Sequence, residues 1–397
     1  MKFGWIDFSP EHRKQLETVL DLFQDKQVLD ELGIGPVRDA FSNTMFPGTT
    51  TIQTRAKYFL LVPWIMQEVE RDTRKVQDYR KSLHELEYQL IDILCKGEDL
   101  DGIIGRYSRR TLKRKPSSIY WNGMKAYGII NWPGSMESYL QYMQKHHLFA
   151  VPSYATPEER EEEEAPAYLW ASVPKPPKGW KEQLSVHLTF EEAQFLKRQI
   201  IQKQRGSLWA TILAGDKYEV LDYPSIEPLA EDLSLPEDLR HLVQLAVQFN
   251  QLMKGALILY NIKIKESVDQ PDDMLEDAWD LYQSEMDFFE WHTWDTSQLW
   301  AMFPWISRDT RHFIWKWISL LKDRRFDTEA TELLRRRELN LKGIHRARLS
   351  DKAVAQKLEE NVYPGIRVDF NGNIRYLDYR WGVVKRLLSD IKKGLDD

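Results

Sequence analysis

Six basic side chains crowd into a twelve-residue segment, Gly105 to Pro116, that contains no acidic residue. Lysine and arginine at this density bind phosphate groups. The segment leads into a short predicted helix, Ser117 to Tyr127, whose free N-terminal amides would also attract anions. Ser117 or Ser118 is expected to cap that helix. A nucleic-acid site is predicted, with an anionic protein partner or a plain solvated loop as alternatives. The candidate contacts are Arg106, Arg109, Arg110, Lys113, Arg114, Lys115, Ser117 and Ser118.

A second basic stretch runs from Leu333 to Lys352, just before a predicted hairpin. A winged-helix domain would touch a phosphate backbone at such a position. Two local patches are informative on this chain because its overall net charge of −6 does not favour a globally basic nucleic-acid binder. The candidate contacts here are Arg335, Arg336, Arg337, Lys342, Arg346 and Arg348.

Charged residues and glycine turns surround a long apolar run in the block from 30 to 64, DELGIGPVRDAFSNTMFPGTTTIQTRAKYFLLVPW. Gly33 and Gly35 permit tight backbone turns. Because the apolar run needs burial, we expect the neighbouring charges to pair inside the N-terminal domain. A partner-binding surface and an active site are the alternatives. The predicted structural ion network consists of Asp30, Glu31, Arg38, Asp39 and Arg55.

Recognisable catalytic motifs are missing from the sequence. It has no P-loop, no dinucleotide fingerprint after a strand and no Gly-x-Ser-x-Gly elbow. The nine histidines are scattered, and the single cysteine, Cys95, excludes an internal disulfide and a multi-cysteine metal site. No cofactor, no metal and no catalytic residue is therefore predicted. Dispersed carboxylates still leave a metal-dependent nuclease open.

The composition is that of a globular protein with substantial cores. Hydrophobic residues make up 42% of the chain and aromatic residues 12%, which is too apolar for intrinsic disorder. A length of 397 residues predicts two or three domains. The N-terminus lacks the apolar core of a signal peptide, and no stretch reaches the roughly 18 uncharged apolar residues of a membrane span. We expect a cytoplasmic protein without a membrane partner.

Helical periodicity predicts a mainly α fold. We expect two helical domains, 1–149 and 185–325, joined by an acidic and proline-rich linker, 150–184, that cannot bury surface. The C-terminal region, 326–397, alternates apolar and polar residues around Asn371-Gly372. That pattern predicts a winged-helix-like β-hairpin flanked by helices.

Three helices are predicted from particular signals. The apolar spacing from Thr51 to Asp72 indicates one of them. A capping-box pattern begins another at Thr189, with Glu192 three residues later. A long helix from about Pro236 to Ile264 is apolar nearly all round in its second half, which indicates a central position in the core.

Seven tryptophans lie between residues 279 and 317. Such a cluster belongs to a core or a partner interface more often than to a surface that stacks bases or sugars. We expect this region to contact a protein partner. The residues are Trp279, Trp291, Trp294, Trp300, Trp305, Trp315 and Trp317.

Several strings resemble an uncharacterised prokaryotic domain-of-unknown-function family, in order and along nearly the whole chain. They are GWIDFS at 4–9, the block at 30–64, SSIYWNG, LTFEEAQFL, FNQLMKGALILYN and YRWGVVKRLLSDI. The resemblance implies an association with anti-phage defence islands, in which helicase, nuclease and DNA-methyltransferase genes lie nearby. It implies an accessory subunit and brings no catalytic residues.

These observations predict a non-catalytic, DNA-associated accessory subunit of an anti-phage defence or DNA-modification system. It would contact phosphates through the two basic patches and a helicase or nuclease through the tryptophan-rich region. A pure assembly subunit without DNA contact and an unrecognised metal-dependent nuclease are the alternatives.

Overall fold

α-Helices make up most of the chain that the structure describes, so the mainly helical fold class is confirmed. The computed structural model describes residues 30–71, 78–148, 169–182, 184–326, 328–356, 363–368 and 374–397. The α-helices are α1 (Gly35–Met45), α2 (Tyr58–Arg71), α3 (Tyr79–Leu94), α4 (Pro116–Ala126), α5 (Met136–Leu148), α6 (Phe190–Lys203), α7 (Leu208–Ala214), α8 (Glu237–Ser267), α9 (Asp273–Asp287), α10 (Thr296–Met302), α11 (Arg308–Lys322), α12 (Thr328–Lys342), α13 (Lys352–Ala355) and α14 (Trp381–Asp396). Short 3₁₀ helices cover Arg109–Thr111, Tyr218–Asp222, Glu227–Ala230 and Arg348–Ser350.

The chain forms two compact units, and each unit is discontinuous in sequence. Unit one contains the described residues of Phe46–Pro224 and Arg380–Asp397. Unit two contains the described residues of Gln27–Met45 and Ser225–Tyr379. The units are discontinuous because helices near the two ends of the chain pack on distant ones. α14 packs against α6 in unit one, and α1 packs against α8 in unit two.

This division differs from the consecutive domains predicted at 1–149, 185–325 and 326–397. The described second half of the predicted linker, from residue 169 onward, packs as part of unit one. The Trp170 indole N–H donates to Glu70 at 2.8 Å, and the Trp64 indole N–H donates to the Pro174 carbonyl at 2.7 Å. The glutamate run at 158–164 lies outside the described residues.

α2 is the core helix of unit one, and α3 and α4 pack against it. Every residue from Tyr58 to Met66 is buried, as the apolar run in the sequence requires. The helix begins at Tyr58 and not at Thr51 as predicted. The phenol oxygen of Tyr120 explains the later start, because it accepts the amides of Thr54 and Arg55 at 2.9 and 3.1 Å.

α8 is the core helix of unit two, and α1, α9, α11 and α12 pack against it. It has 31 residues, and all of those from Gly255 to Ile262 are buried. In the described part of the chain it is the one helix long and apolar enough to cross a membrane, yet 67% of its apolar window is buried. That degree of burial fits the core helix of a soluble protein.

Two short strands pair near the C-terminus. β1 (Arg367–Val368) and β2 (Ile374–Arg375) are antiparallel, with Arg367 opposite Arg375 and Val368 opposite Ile374. The pair is too short to support the predicted winged-helix-like hairpin. The Asn371-Gly372 turn of that hairpin lies outside the described residues.

Close packing at Gly255 of α8 yields a test of unit two. A methyl group there would overlap the ring of Tyr282, which is itself buried in α9. We therefore expect Gly255→Ala to lower the free energy of unfolding by about 1–3 kcal/mol in a urea titration. At an open helical position the same change would stabilise by roughly 1 kcal/mol, so a stabilised variant would contradict the packing. Adding Tyr282→Leu should recover part of the loss.

Candidate nucleic-acid interface

A cleft of about 810 Å³ lies in unit one beside the N-terminal end of α4. Arg80 and His84 reach it from α3, and Lys113, Arg114 and Lys115 reach it from the loop before α4. Among the described residues that line this cleft, Glu137 is the only acid, and it pairs with Arg80. The cleft is therefore strongly positive although the whole chain is acidic.

The first basic patch is divided by the structure into two sets. Lys113, Arg114 and Lys115 line the cleft. Arg109 instead pairs with Asp92 of α3 at 3.1 Å. Arg110 donates to both carboxylate oxygens of Glu85, also on α3, at 3.0 and 3.1 Å. These two pairs lie on the surface, where ion pairs are weak.

Arg106 also lies outside the cleft lining. Its guanidinium stacks on Tyr107 at 5.1 Å, and that tyrosine is 87% exposed. Of the predicted serines, Ser117 is buried and Ser118 is exposed, and both line the cleft. The structure thus brings five of the eight predicted contacts of this segment together.

The predicted serine cap of α4 is wrong. The N-cap residue is Lys115, without a side-chain cap bond, and Pro116 occupies the first helical position. Proline suits that position because its fixed φ is already helical and it has no amide to satisfy. The Ser117 amide donates to the buried carboxylate of Glu87 at 2.8 Å, so part of the predicted anion site is already occupied by the protein.

Glu87 is fully buried on α3 beneath the loop that lines the cleft. Burial raises the pKa of its carboxyl to about 7, although hydrogen bonds from Ser117 and the charge of Lys115 act in the opposite direction. One turn earlier, burial lowers the pKa of His84, with Lys115 and Arg80 adding to the effect. The basic character of the cleft therefore rests on lysine and arginine.

The second basic patch belongs mostly to the interior or to local ion pairs. Arg337 is 8% exposed and donates to the carbonyls of Leu32 and Gly33 at 2.8 and 3.2 Å. Arg335 and Arg336 share the carboxylate of Glu332. Within the patch, Arg346 is exposed. The predicted phosphate contact of Arg337 is therefore wrong, because its side chain is buried and bonded to backbone carbonyls.

Lys342 and Arg348 join a buried network in unit two. The Lys342 side chain is 4% exposed and pairs with Glu31 and, at 3.3 Å, with Glu338. Arg348 also pairs with Glu31 at 3.3 Å. Tyr260 donates to Glu31 at 3.0 Å. These basic side chains neutralise two buried acids and are not directed to a phosphate backbone.

Glu338 also positions the chain after α12. Its carboxylate accepts the amides of Arg348 and Leu349 at 3.0 and 2.9 Å. Gly33, on the facing turn, has a positive φ and no β-carbon, and a β-carbon there would overlap the Arg337 guanidinium. The network therefore holds two backbone segments against α12, the turn at Leu32 and Gly33 and the chain at Arg348 and Leu349.

The predicted ion network of the 30–64 block is split between the two units. In unit two, Arg38 pairs with Asp39 at 3.0 Å, and Asp30 accepts the Gly35 amide. In unit one, Arg55 is held by Asp390 and Asp99. The predicted charges thus do not form one cluster, and most of their partners lie outside the block.

Arg55 is the centre of the unit-one network. Its Nε donates to both oxygens of Asp390 at 3.1 Å, and its Nη1 donates to Asp99 at 2.8 Å. The side chains of Arg55 and Asp390 are each 5% exposed. The Ala56 amide also donates to Asp390 at 2.8 Å, so the buried carboxylate is well supplied with donors.

Sequence reasoning missed Glu87, Glu338, Asp390, Arg80 and Trp121. Each of them lies on a helix with an ordinary amphipathic pattern. The partners of Glu87, Arg80 and Asp390 lie 30, 57 and 335 residues away, and the place of Trp121 in the cleft lining depends on the packing of the helices. A weak signal existed for Glu338, since an acid inside an arginine-rich helix suggests neutralisation.

The tryptophan-rich region combines core and surface positions. Trp279, Trp294 and Trp317 are buried, whereas Trp305 and Trp315 are 67% and 58% exposed. Trp291 and Trp300 are half-buried. Within the described residues, no group of three or more His, Cys, Asp or Glu side chains is placed to hold a metal ion.

The protein is therefore mainly helical and carries a cleft lined by basic residues in unit one. The chain belongs to the family of unknown function DUF6361, which matches residues 1–394. The predicted membership of a family of unknown function is thus confirmed along the chain, whereas its link to defence islands stays a prediction. No curated protein and no solved structure matches the chain significantly.

The Arg55 network generates a stability prediction for unit one. We expect Arg55→Ala to lower the free energy of unfolding by about 3–5 kcal/mol, because it leaves Asp390 buried without its cation. Arg55→Lys should recover little, since one ammonium cannot serve both carboxylates in the same geometry. Urea titration followed by tryptophan fluorescence measures the effect. A loss below about 1 kcal/mol would show that Asp390 finds another partner.

Glu87 generates a pH prediction. Its folded-state pKa of about 7 lies above its ordinary value of 4.5, so its stabilising contribution is complete below 4.5 and is lost as the pH rises through 7. The loss amounts to on the order of 3 kcal/mol. We expect Glu87→Gln to abolish this component, so that the stability difference between variant and wild type changes between those pH values. A constant difference would contradict the prediction.

Proposed function

We propose that the protein is a non-catalytic, DNA-associated accessory subunit that contacts phosphates through the cleft of unit one. The observation that carries the proposal is the convergence of Arg80, Lys113, Arg114 and Lys115 on one cleft in an acidic protein. Local positive charge of this kind binds a nucleic-acid backbone by releasing condensed counterions. The overall charge of the chain does not prevent it, because screening confines the interaction to about 8–10 Å.

A cluster of basic residues can also be a plain solvated surface loop. Three features of the cleft favour a binding site instead. Its positive residues come from α3 and from the loop before α4 and surround a concave volume. The one acid among the described lining residues, Glu137, is already paired with Arg80. Neutral donors accompany the charges, since Ser118 and Asn122 of α4 also line the cleft. Backbone contacts to DNA commonly combine both kinds of donor.

The second part of the proposal concerns a protein partner. Trp305 and Trp315 expose large apolar surfaces on unit two, and exposed tryptophan is enriched at protein interfaces. We propose that this surface contacts a helicase or nuclease of an anti-phage defence or DNA-modification system in the cytoplasm. The family resemblance supports this choice of partner. A pure assembly subunit would use the same surface and would not bind DNA.

Charge reversal in the cleft tests the DNA contact. We expect Lys113→Glu with Arg114→Glu to weaken binding to a tailed DNA duplex by more than about tenfold. The slope of log K against log salt should fall by roughly 1.5, because two phosphate contacts are lost. Fluorescence anisotropy over a salt series measures both quantities. A tailed duplex offers single-stranded and double-stranded DNA in one probe.

The matched control is Lys175→Glu with Lys178→Glu. These lysines are exposed in unit one outside the cleft, and the change in net charge is the same. We expect the control to leave the salt slope unchanged. Equal losses in both variants would mean a non-specific charge effect. Retention of partner proteins without any DNA binding by the wild type would favour the pure assembly subunit instead.

A further inference from the structure

We infer that the cleft of unit one takes single-stranded DNA, with one unstacked nucleotide inside it. The inference rests on the function proposed above and specifies its ligand. It is carried by the apolar side chains that line the cleft, by two donors without partners among the described residues and by the size of the cleft.

The residues that line the cleft include two chemically different sets. The basic set consists of Arg80 and Lys113 to Lys115. The apolar set consists of Ile52, Ile119, Met136 and Leu140. A phosphodiester needs the basic set but gains nothing from the apolar set. A nucleoside attached to that phosphate does gain, because its base has an apolar face that prefers to leave water.

Two residues that line the cleft carry buried donors that could serve a polar group of a base or sugar. Trp121 is 3% exposed, and its indole N–H has no hydrogen-bond partner among the described residues. The Thr50 hydroxyl has none there either. Both residues line the cleft. A buried donor without a partner costs about 1–3 kcal/mol, so an acceptor on a bound ligand would gain from meeting it.

The size of the cleft agrees with one nucleotide. About 810 Å³ lies within the range of roughly 300–1,000 Å³ that encloses small organic ligands. Bases of a duplex are stacked and paired, so a duplex presents mainly its phosphates to a surface of this kind. A single strand can turn one base into the cleft without breaking a base pair. The apolar lining residues and the unpartnered indole N–H of Trp121 therefore favour a single strand over a duplex.

The test compares one labelled oligonucleotide as a single strand and as a duplex, by fluorescence anisotropy at one salt concentration. We expect the single strand to bind at least about tenfold more tightly. Trp121→Phe keeps a ring against Tyr139 but removes the N–H, and it should weaken single-strand binding about fivefold. Ile52→Gln should weaken it by a similar factor, and this exposed position keeps the test valid if Trp121→Phe fails to fold. Neither change should alter duplex binding.

The matched control is Trp170→Phe, which removes an indole N–H that is bonded to Glu70 outside the cleft. It should leave single-strand binding unchanged. Equal affinity for single strand and duplex, with both cleft variants silent, would overturn the inference and leave the phosphate contact standing. Absence of binding to either probe would overturn the proposed function as well.

Discussion

Buried charges in both units have partners more than 300 residues away along the chain. In unit one, Arg55 meets Asp390 across 335 residues. In unit two, Glu31 meets Arg348 across 317 residues. An unpaired charge in these positions would cost several kcal/mol, so neither core is complete until the C-terminal part of the chain has arrived. This requirement explains why each unit is assembled from separate stretches of sequence and why a division into consecutive domains does not describe them.

The same requirement decides which basic residues are available for binding. Arg337 donates to buried backbone carbonyls, and Lys342 pairs with a buried carboxylate. Arg110 pairs with Glu85 at the surface. Lys113, Arg114 and Lys115 line a cleft whose described lining contains one acid, Glu137, and this acid pairs with Arg80. Glu87 lies buried beneath them with a raised pKa, so below neutral pH it adds little negative charge there. Positive charge from three successive side chains is therefore concentrated at the cleft of unit one.

Local features of the fold were largely predictable. The capping box at Thr189 has both of its hydrogen bonds to Glu192, and the long helix predicted from Pro236 to Ile264 runs from Glu237 to Ser267. Signals of this kind act within about four residues, so the sequence alone contains them. The start of α2 differs from the prediction because Tyr120 holds the preceding amides, and the cap of α4 differs because Pro116 is its first residue. The first difference depends on a tertiary contact, whereas the second has a local signal in the sequence, the proline.

The helical class, the apolar runs of α2 and α8, the density of positive charge at 105–116 and the family membership can all be read from the sequence. Which charges are neutralised, which basic residues share a cleft and which tryptophans remain exposed depends on the tertiary fold. These two kinds of feature differ in the distance along the chain over which their interactions act. Helix capping and periodicity depend on neighbours within a turn or two, whereas ion pairing and cleft formation depend on residues that burial of apolar surface brings together from opposite ends of the chain.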